Sequence, residues 1–255
     1  MDLRLFGVPG VPMVEPGDDL VDQILSALDA CGEMLMQDDV LVLAQKIVSK
    51  AEGRYLDLRD VSPSPEAQQL ALEVDKDPRK VQAILDESNE VVRARPGVLI
   101  VEHKLGFVQA NAGIDQSNID MDDENRCLLL PIDPDLSAQQ LRNQIRERLD
   151  IDVAIIINDS IGRAWRMGSL GLAIGIAGFT GLEDHIGGED LFGNELKVTQ
   201  VGAADELAAG ASLVMGQTTE KTPVVLVRGY KPKEPQLESQ GVKPLLRPKH
   251  MDMFR

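Results

Sequence analysis

Aromatic residues are scarce in this chain: one tryptophan, two tyrosines and five phenylalanines among 255 residues. The core must therefore consist mostly of aliphatic and methionine side chains. Cations are also in deficit, because 26 Lys and Arg residues face 42 Asp and Glu residues and leave a net charge of −16. Such a chain has no excess of cations to neutralise a nucleic-acid backbone, which argues against a nucleic-acid partner. A local basic pocket for one small anion remains compatible with this charge.

Cysteine, histidine and long apolar runs are equally limited. The two cysteines, Cys31 and Cys127, form neither a zinc-ligand spacing nor a disulfide framework, which fits a reducing compartment. The three histidines are scattered, and none is flanked like a catalytic base or a metal ligand. The N-terminus lacks a signal pattern, and no apolar run approaches ~18 residues. We therefore expect a cytoplasmic protein without a membrane partner.

The usual nucleotide-binding loops are missing. No GxxxxGK[ST] occurs, and the glycines of residues 168–178 do not follow GxGxxG or a strand-turn-helix pattern. The P-loop and Rossmann folds are therefore excluded. The small residues of 168–178 instead predict a strand that another backbone approaches closely. A nucleotide, if bound, must be held by a different structure.

Acidic and basic side chains follow the most apolar run in the chain. Residues 153–157, four of them β-branched, predict a strand buried on both faces that stops before Asp159 and Ser160. A carboxylate beside a hydroxyl offers the oxygen ligands that Mg²⁺ or Mn²⁺ prefers. Arg163 and Arg166 then follow, and arginines beside such a site suit phosphate oxygens. The alternative is a strand-ending turn with solvated arginines.

Two further stretches also place charged side chains directly after a predicted strand. Residues 45–54 follow a second apolar strand, 40–44, and carry three cations, which predicts an anion pocket; the alternative is a solvated basic turn. Asp115 follows a strand predicted over 105–111. Paired with Asp159, it would give two acids at strand ends, an arrangement that holds a divalent cation between phosphates. Alone, Asp115 is typical of a capped turn.

The remaining periodicity predicts a mixed α/β fold with mixed and antiparallel sheets and flanking helices. Helices are predicted to begin at Asp18-Asp19, Ser64-Pro65, Asp77-Pro78 (running to about Asn89), the capping box at Ser137 (through Leu149) and Asp205 (through Met215). Short strands are predicted over 3–8, 91–95, 98–102 and 224–227. No repeat or linker is found, so residues 1–255 are predicted to form a single intertwined unit with a Pro/Lys-rich tail over 231–255.

Two polar loops complete the pattern. Residues 9–12, with two prolines and one glycine, form an extended loop whose backbone groups are free for other partners. Residues 217–222 follow the alanine-rich helix, and Gln217 and Glu220 could add oxygen ligands. The alternative for this second segment is an ordinary surface loop.

Several of these stretches, in this order, resemble one known family. They are residues 48–54, 111–118, 159–163 with Arg166, 190–193 (Asp-Leu-Phe-Gly) and 215–217. The chain resembles the coenzyme F420-0:L-glutamate ligases, the γ-glutamyl ligases of F420 synthesis, from Gly7 to about Arg228 and again in the last dozen residues. Because the motifs are separated and in register, together they are far more specific than any one of them.

The resemblance implies a homodimeric ligase with a mixed α/β fold of its own. Such enzymes use GTP and Mn²⁺ or Mg²⁺, here expected as two cations, with K⁺ as a further candidate ion. They join L-glutamate to the lactyl carboxylate of F420-0, and some add further γ-linked glutamates. The carboxylate is expected to form an acyl phosphate, which the glutamate amine attacks, with release of GDP and phosphate. Such chemistry depends mainly on positioning and charge neutralisation.

The resemblance also implies roles for individual residues. The expected metal ligands are Asp115, Asp159, Ser160 and Gln217. The expected nucleotide contacts are Gly10, Val11, Pro12, Met13, Gln45, Lys46, Lys50, Asn118, Met215, Gly216, Gln217, Thr218, Thr219, Glu220, Lys221 and Thr222. Lys50 is expected to act on the transferred phosphate; Arg163 and Arg166 are added from charge alone, as groups that grip a phosphate or a substrate carboxylate.

Three features depart from the family pattern or leave alternatives open. Gln45-Lys46 stands where small hydroxyl residues are expected, which adds a charge near the phosphates. The loop over 218–222 and the tail from residue 231 are particular to this chain. Two alternative functions remain. One is the same metal- and nucleotide-dependent ligation on a different carboxylate, and the other is nucleotide binding without ligase activity.

Overall fold

The computed structural model describes residues 2–119, 123–232 and 240–253. Twelve strands and six α-helices lie in this part of the chain. The strands are β1 (Arg4–Gly7), β2 (Val40–Ala44), β3 (Tyr55–Asp57), β4 (Ser88–Arg95), β5 (Val98–His103), β6 (Val108–Ala110), β7 (Arg126–Leu128), β8 (Ala154–Gly162), β9 (Ser169–Ala177), β10 (Glu183–Asp184), β11 (Gln200–Val201) and β12 (Val224–Arg228). The helices are α1 (Leu20–Ala30), α2 (Gln45–Ala51), α3 (Pro65–Val74), α4 (Pro78–Asp86), α5 (Pro134–Leu149) and α6 (Ala203–Met215). None of the helices described is long and apolar enough to span a bilayer.

A five-stranded sheet forms the centre, in the order β1-β12-β2-β8-β9. β2 and β8 are parallel, and the other neighbours pair antiparallel. The aliphatic runs of β2, β8 and β12 are buried on both faces, as their uninterrupted apolar sequences predict. Because β2 and β8 are parallel, with Ala44 opposite Asn158, the residues that follow both strands emerge at the same edge.

Helices cover the central sheet. α5 and α6 pack on β8 and β9, and α6 also contacts β1. Their apolar side chains join those of α1 and α2 in one large hydrophobic core. The mixed sheet with flanking helices confirms the predicted fold class.

A second, smaller hydrophobic core lies beside the first. It is formed by α3, α4 and a three-stranded antiparallel sheet, β4-β5-β6, together with the β3-β7 pair. α3 and α4 both begin with the predicted device, a capping Ser64 or Asp77 followed by proline. The segment 54–58 connects this layer to α2, so the two cores share a border near the end of α2.

Four local predictions are wrong in detail. β8 does not stop before Asp159 but continues to Gly162, because β9 supplies hydrogen-bonding partners along its whole length. α5 begins at Pro134 with Asp133 as its cap, so Ser137 lies inside the first turn. α4 ends at Asp86, and the following residues enter β4. The strand predicted over 105–111 is only Val108–Ala110.

Two projections expose apolar side chains. Between β10 and β11 the chain forms an arm whose tip carries Leu191 and Phe192, 99% and 90% exposed. The hairpin between β8 and β9 similarly exposes Trp165 and Met167. Exposed large apolar residues grouped at tips are typical of surfaces that another chain covers.

Candidate active site at the edge of the central sheet

The predicted site residues meet where β2 and β8 end. β2 leads directly into α2, which carries Lys46 and Lys50. The last third of β8 carries Asp159 and Ser160. The turn over 115–118 and the loop after α6 approach the same edge from other parts of the chain.

Three lysines hold successive parts of the 115–118 turn. Lys46 Nζ lies 2.7 Å from Asp115 Oδ2 and donates to the Ser117 hydroxyl at 2.7 Å. Lys50 Nζ donates to the carbonyl of Asn118 at 2.9 Å, and Lys80 Nζ of α4 donates to Gln116 Oε1 at 2.6 Å. Of the three cations in residues 45–54, Lys46 and Lys50 therefore lie at this edge, whereas Arg54 pairs with Glu87, and the anion pocket stays a prediction.

Asp115 is stabilised as a carboxylate. Burial raises the pKa of Asp115, but hydrogen bonds from Lys46 and from the Ser117 backbone N–H outweigh it and leave the pKa below its ordinary value. The backbone of Asp115 is fixed by a pair of hydrogen bonds with Leu128. The turn therefore presents a negative charge in a defined position.

Asp159 has the opposite electrostatic environment. Burial raises the pKa of Asp159 to about 6, and the negative charge of Asp115 contributes in the same direction. In the described ranges its carboxylate accepts one hydrogen bond, from the N–H of Ser160 at 2.8 Å, and forms no ion pair. The Lys46 ammonium opposes the rise in the pKa of Asp159, but it is ion-paired with Asp115.

The donor set fits a hard divalent cation. Asp115 lies close enough to Asp159 for its charge to raise the pKa of Asp159, and Ser160 Oγ donates to Gln217 Oε1 at 2.8 Å. All four predicted ligands offer oxygen, which suits Mg²⁺ or Mn²⁺. No cluster of three or more His, Cys, Asp or Glu side chains occurs in residues 2–119, 123–232 and 240–253. Neutral oxygens would therefore have to complete any coordination here.

Lys50 is a buried cation without a carboxylate partner in the part of the chain that the structure describes. Its side chain is 8% exposed, and its one hydrogen bond goes to a neutral carbonyl. Burial lowers the pKa of Lys50, and the positive charges of Lys46 and Arg126 contribute, while Glu15 opposes them. An anionic ligand would supply the missing negative charge.

The predicted nucleotide loops border this edge. The loop containing Gly10, Val11, Pro12 and Met13 is anchored at one end by Val8 N–H to Val224 O. At the other end, Gly17 N–H donates to Ala51 O. The loop over 215–222 approaches the 115–118 turn, where Asn118 Nδ2 lies 3.4 Å from Thr218 O.

The 215–222 loop is closed on itself. Glu220 accepts from the N–H of Thr218 at 2.8 Å, and these backbone hydrogen bonds lower the pKa of Glu220. Glu220 therefore caps its own loop, so its predicted part in binding stays a prediction. Met215 is buried at the end of α6, whereas the side chains of Thr219 and Lys221 are exposed.

Three further predicted residues have no contact with this cluster among the hydrogen bonds of the described residues. Gln45 is buried at the start of α2, and its side-chain oxygen accepts from Ser49 Oγ. Arg163 donates to the carbonyl of Gly168 in its own hairpin, and Arg166 is exposed on the same hairpin. Their roles stay predictions.

Sequence analysis missed Lys80 as a neighbour of the site. It lies in the first turn of α4, 36 positions before its partner Gln116. Burial lowers the pKa of Lys80, as it does for Lys50. Only the pairing of α4 with the 115–118 turn in three dimensions reveals this cation.

Comparison with known proteins identifies the family. The model of the F420-0:gamma-glutamyl ligase family matches residues 10–229. The chain belongs to this family. The match includes every motif that carried the resemblance, and it makes the chain a ligase.

Curated relatives named coenzyme F420:L-glutamate ligase match most or all of the chain. The coenzyme F420:L-glutamate ligase of Methanothermobacter thermautotrophicus is 46% identical over 255 residues, which is 100% of both chains. That of Methanopyrus kandleri is 43% identical and covers 99% of this chain and 98% of its own. That of Methanocaldococcus jannaschii is 44% identical and covers 85% of this chain and 84% of its own.

Gly216 gives a first test of the loop after α6 in this ligase. Its backbone (φ 71°, ψ −177°) suits glycine alone, and a Cβ atom there would collide with the carboxyl group of Glu220. We expect Gly216→Ala to displace the loop and to weaken about tenfold, equivalent to ~1.4 kcal/mol, the GTP binding that the family resemblance predicts for residues 215–222. Isothermal titration with GTP measures this. Gly32→Ala, at a positive φ but with open space around it, is the control and should bind GTP normally.

Proposed function

We propose that this ligase joins L-glutamate to the lactyl carboxylate of F420-0 at the expense of GTP. The proposal rests on the family match and on one structural observation: cationic, carboxylate and neutral oxygen groups converge at one sheet edge. Further γ-linked glutamates could be added by the same steps.

In the proposed reaction, an oxygen of the F420-0 carboxylate attacks the γ-phosphorus of GTP. The bond from that phosphorus to the β–γ bridging oxygen breaks, and GDP leaves. The amine of glutamate then attacks the acyl carbon of the resulting acyl phosphate, phosphate departs with the bonding electrons, and the amine loses a proton. The protein's contribution is mainly positioning and electrostatic stabilisation.

Individual residues would act through charge. Lys46 and Lys50 would face the phosphates, and residues 10–13 and 215–222 would contact the nucleotide. Asp115, Asp159, Ser160 and Gln217 would hold Mn²⁺ or Mg²⁺, which when bound supplies charge neutralisation at the phosphate oxygens. Arg163 and Arg166 would grip a phosphate or carboxylate, which requires the β8–β9 hairpin to lie against bound substrate. A K⁺ ion is a further proposed component.

A product assay by mass spectrometry tests this function. The protein is incubated with F420-0, L-glutamate, GTP and Mn²⁺, with ATP in a parallel reaction. A mass gain of one or more glutamyl units with release of phosphate and GDP is the expected result. Phosphate release without the gain would indicate another acceptor carboxylate, and GTP binding without turnover would indicate a non-catalytic nucleotide-binding protein.

We also propose that the ligase is a homodimer whose interface includes the β10–β11 arm. We expect Phe192→Glu to convert the dimer to a monomer, since a charge would replace an exposed ring that a second copy covers. Light scattering coupled to size exclusion measures the mass. Leu72→Glu, at an exposed apolar residue of α3, is the control and should leave the dimer intact. A monomeric wild-type protein would contradict the proposal.

A further inference from the structure

The position of Gln217 depends on the end of α6. The helix ends at Met215, and Gln217 follows after a single glycine. Gln217 Oε1 lies 2.8 Å from Ser160 Oγ on β8. Any shift of α6 along β8 would therefore separate two of the predicted metal ligands.

A buried polar contact joins α6 to β8 at this level. Asn158 precedes Asp159 in β8, and its side chain is 4% exposed. Its Nδ2 donates to Ser212 Oγ of α6 at 3.0 Å and approaches the Met215 sulfur at 3.6 Å. Ser212 and Met215 are both buried and belong to the last turn of the helix before Gln217.

The backbones of β8 and β9 leave room for the hydrogen bond between Asn158 and Ser212. The register of β8 against β9 shifts between Ile157 and Asn158, which marks a β-bulge. On the facing strand, a Cβ atom at Gly171 would lie 2.5 Å from Asn158 Oδ1 and would also collide with the Ser212 hydroxyl. The close approach predicted for the small residues of 168–178 therefore occurs here.

An apolar side chain would suit this buried position better if packing were its only role. Asn158 Oδ1 is buried and has no hydrogen-bond partner. An unpaired buried acceptor opposes folding. An amide with this unpaired oxygen therefore points to a use for its directional hydrogen bond to α6.

We propose that Asn158 is a positioning residue of the metal site and acts through Ser212 on α6. Its amide fixes the end of α6 relative to the bulge in β8, so that Gln217 lies opposite Ser160. Asn158 itself does not contact the metal or the substrates. This inference rests on the proposed function, because it assigns the purpose of the contact to the cation site.

Manganese binding in the absence of substrates tests the inference. Ser212→Ala removes the acceptor hydroxyl, and Asn158→Ala removes the donor. We expect both variants to bind Mn²⁺ 10–100-fold more weakly by isothermal titration, the range found when an outer partner of a metal ligand is lost. The electron paramagnetic resonance signal of free Mn²⁺ gives an independent value.

A matched serine provides the control. Ser137 of α5 is buried to the same degree as Ser212, and its hydroxyl also bonds to another element, at Glu52. Ser137→Ala should bind Mn²⁺ like the wild type even where its melting temperature falls. If Ser212→Ala is folded and binds Mn²⁺ as tightly as the Ser137 variant, the contact is merely structural and the inference is wrong. If the wild-type protein binds no Mn²⁺, the metal site of the proposed function fails and the inference fails with it.

Discussion

Replacing Asp159 with asparagine is expected to abolish ligation and also to raise the melting temperature of the metal-free protein at pH 7. The carboxylate is partly buried beside Asp115 and has no ion-pair partner among the described residues, so its charge opposes folding. Asparagine keeps the shape and removes the charge. Loss of a charged metal ligand should reduce turnover by at least about 10³-fold, since the cation supplies several kcal/mol at the phosphate oxygens.

The pH dependence of stability has a definite sign. The pKa of Asp159 is about 6 in the folded protein and near 3.8 in the unfolded chain, so the folded state binds the proton more tightly. The resulting stabilisation is present below about pH 4 and is lost as the pH rises through 6. Above pH 6 the ionised group costs at most about 3 kcal/mol. The advantage of Asp159→Asn should therefore disappear on lowering the pH from 7 to 4.

Asp115→Asn is the matched comparison, because it removes the other carboxylate. Hydrogen bonds from Lys46 and Ser117 lower the pKa of Asp115, so its charge favours folding at pH 7 and its loss should lower the melting temperature. Both variants should lose the stabilisation that Mn²⁺ gives the wild type. Scanning calorimetry from pH 4 to 8, with and without Mn²⁺, measures the melting temperature of each protein and its stabilisation by the metal. If Asp159→Asn lowers the melting temperature at pH 7, the ionised carboxylate does not oppose folding and the prediction is wrong.

Uninterrupted aliphatic sequences made the central strands predictable. Residues 40–43, 155–157 and 224–227 are buried on both faces, and each is too short for a buried helix. The end of β8 was not predictable from its own residues. Asp159 and Ser160 favour a turn locally, but they pair with Leu172 and Gly171 across a hairpin. Tertiary pairing overrides local preference there.

Competing caps explain the error at α5. Ser137 satisfies the pattern of a capping box, yet Asp133 caps the helix one turn earlier and Pro134 takes the first helical position. The Ser137 hydroxyl instead has two acceptors within hydrogen-bonding distance, the Asp133 carbonyl and the Glu52 carboxylate. Both signals were in the sequence, and the earlier one prevails because proline fits the first turn.

The candidate site was predictable where charges follow apolar strands. Lys46, Lys50, Asp115 and Asp159 all have that signature, and the structure brings them to one edge. Lys80 carries no such signature, because its proximity to the 115–118 turn arises from helix packing. Gln217 was predicted as an oxygen ligand from its polar loop and from the family resemblance, but its place opposite Ser160 is seen only in the structure.

Lys50→Met should weaken GTP binding and reduce kcat/KM for GTP by about 10²–10³-fold, or roughly 3–4 kcal/mol of transition-state stabilisation. The side chain is buried, its ammonium group donates to a neutral carbonyl, and Lys46 and Arg126 add positive potential around it. A triphosphate is the ligand that would balance this charge. Methionine fills similar space without the cation, so the variant should remain folded.

The pH dependence of GTP binding distinguishes a phosphate-binding role of Lys50 from a purely structural one. Burial lowers the pKa of Lys50, so its charge is lost at a lower pH than that of an ordinary lysine. GTP affinity of the wild type should therefore fall as the pH rises towards that pKa, and the methionine variant should lack this decline. Titrations with GTP from pH 7 to 10 measure it, and Lys104→Met, at an exposed lysine beside Glu87, serves as the control. Equal GTP affinity of wild type and Lys50→Met at pH 7 would mean that the buried ammonium only braces the turn at Asn118, and another cation of the cluster would have to meet the phosphates.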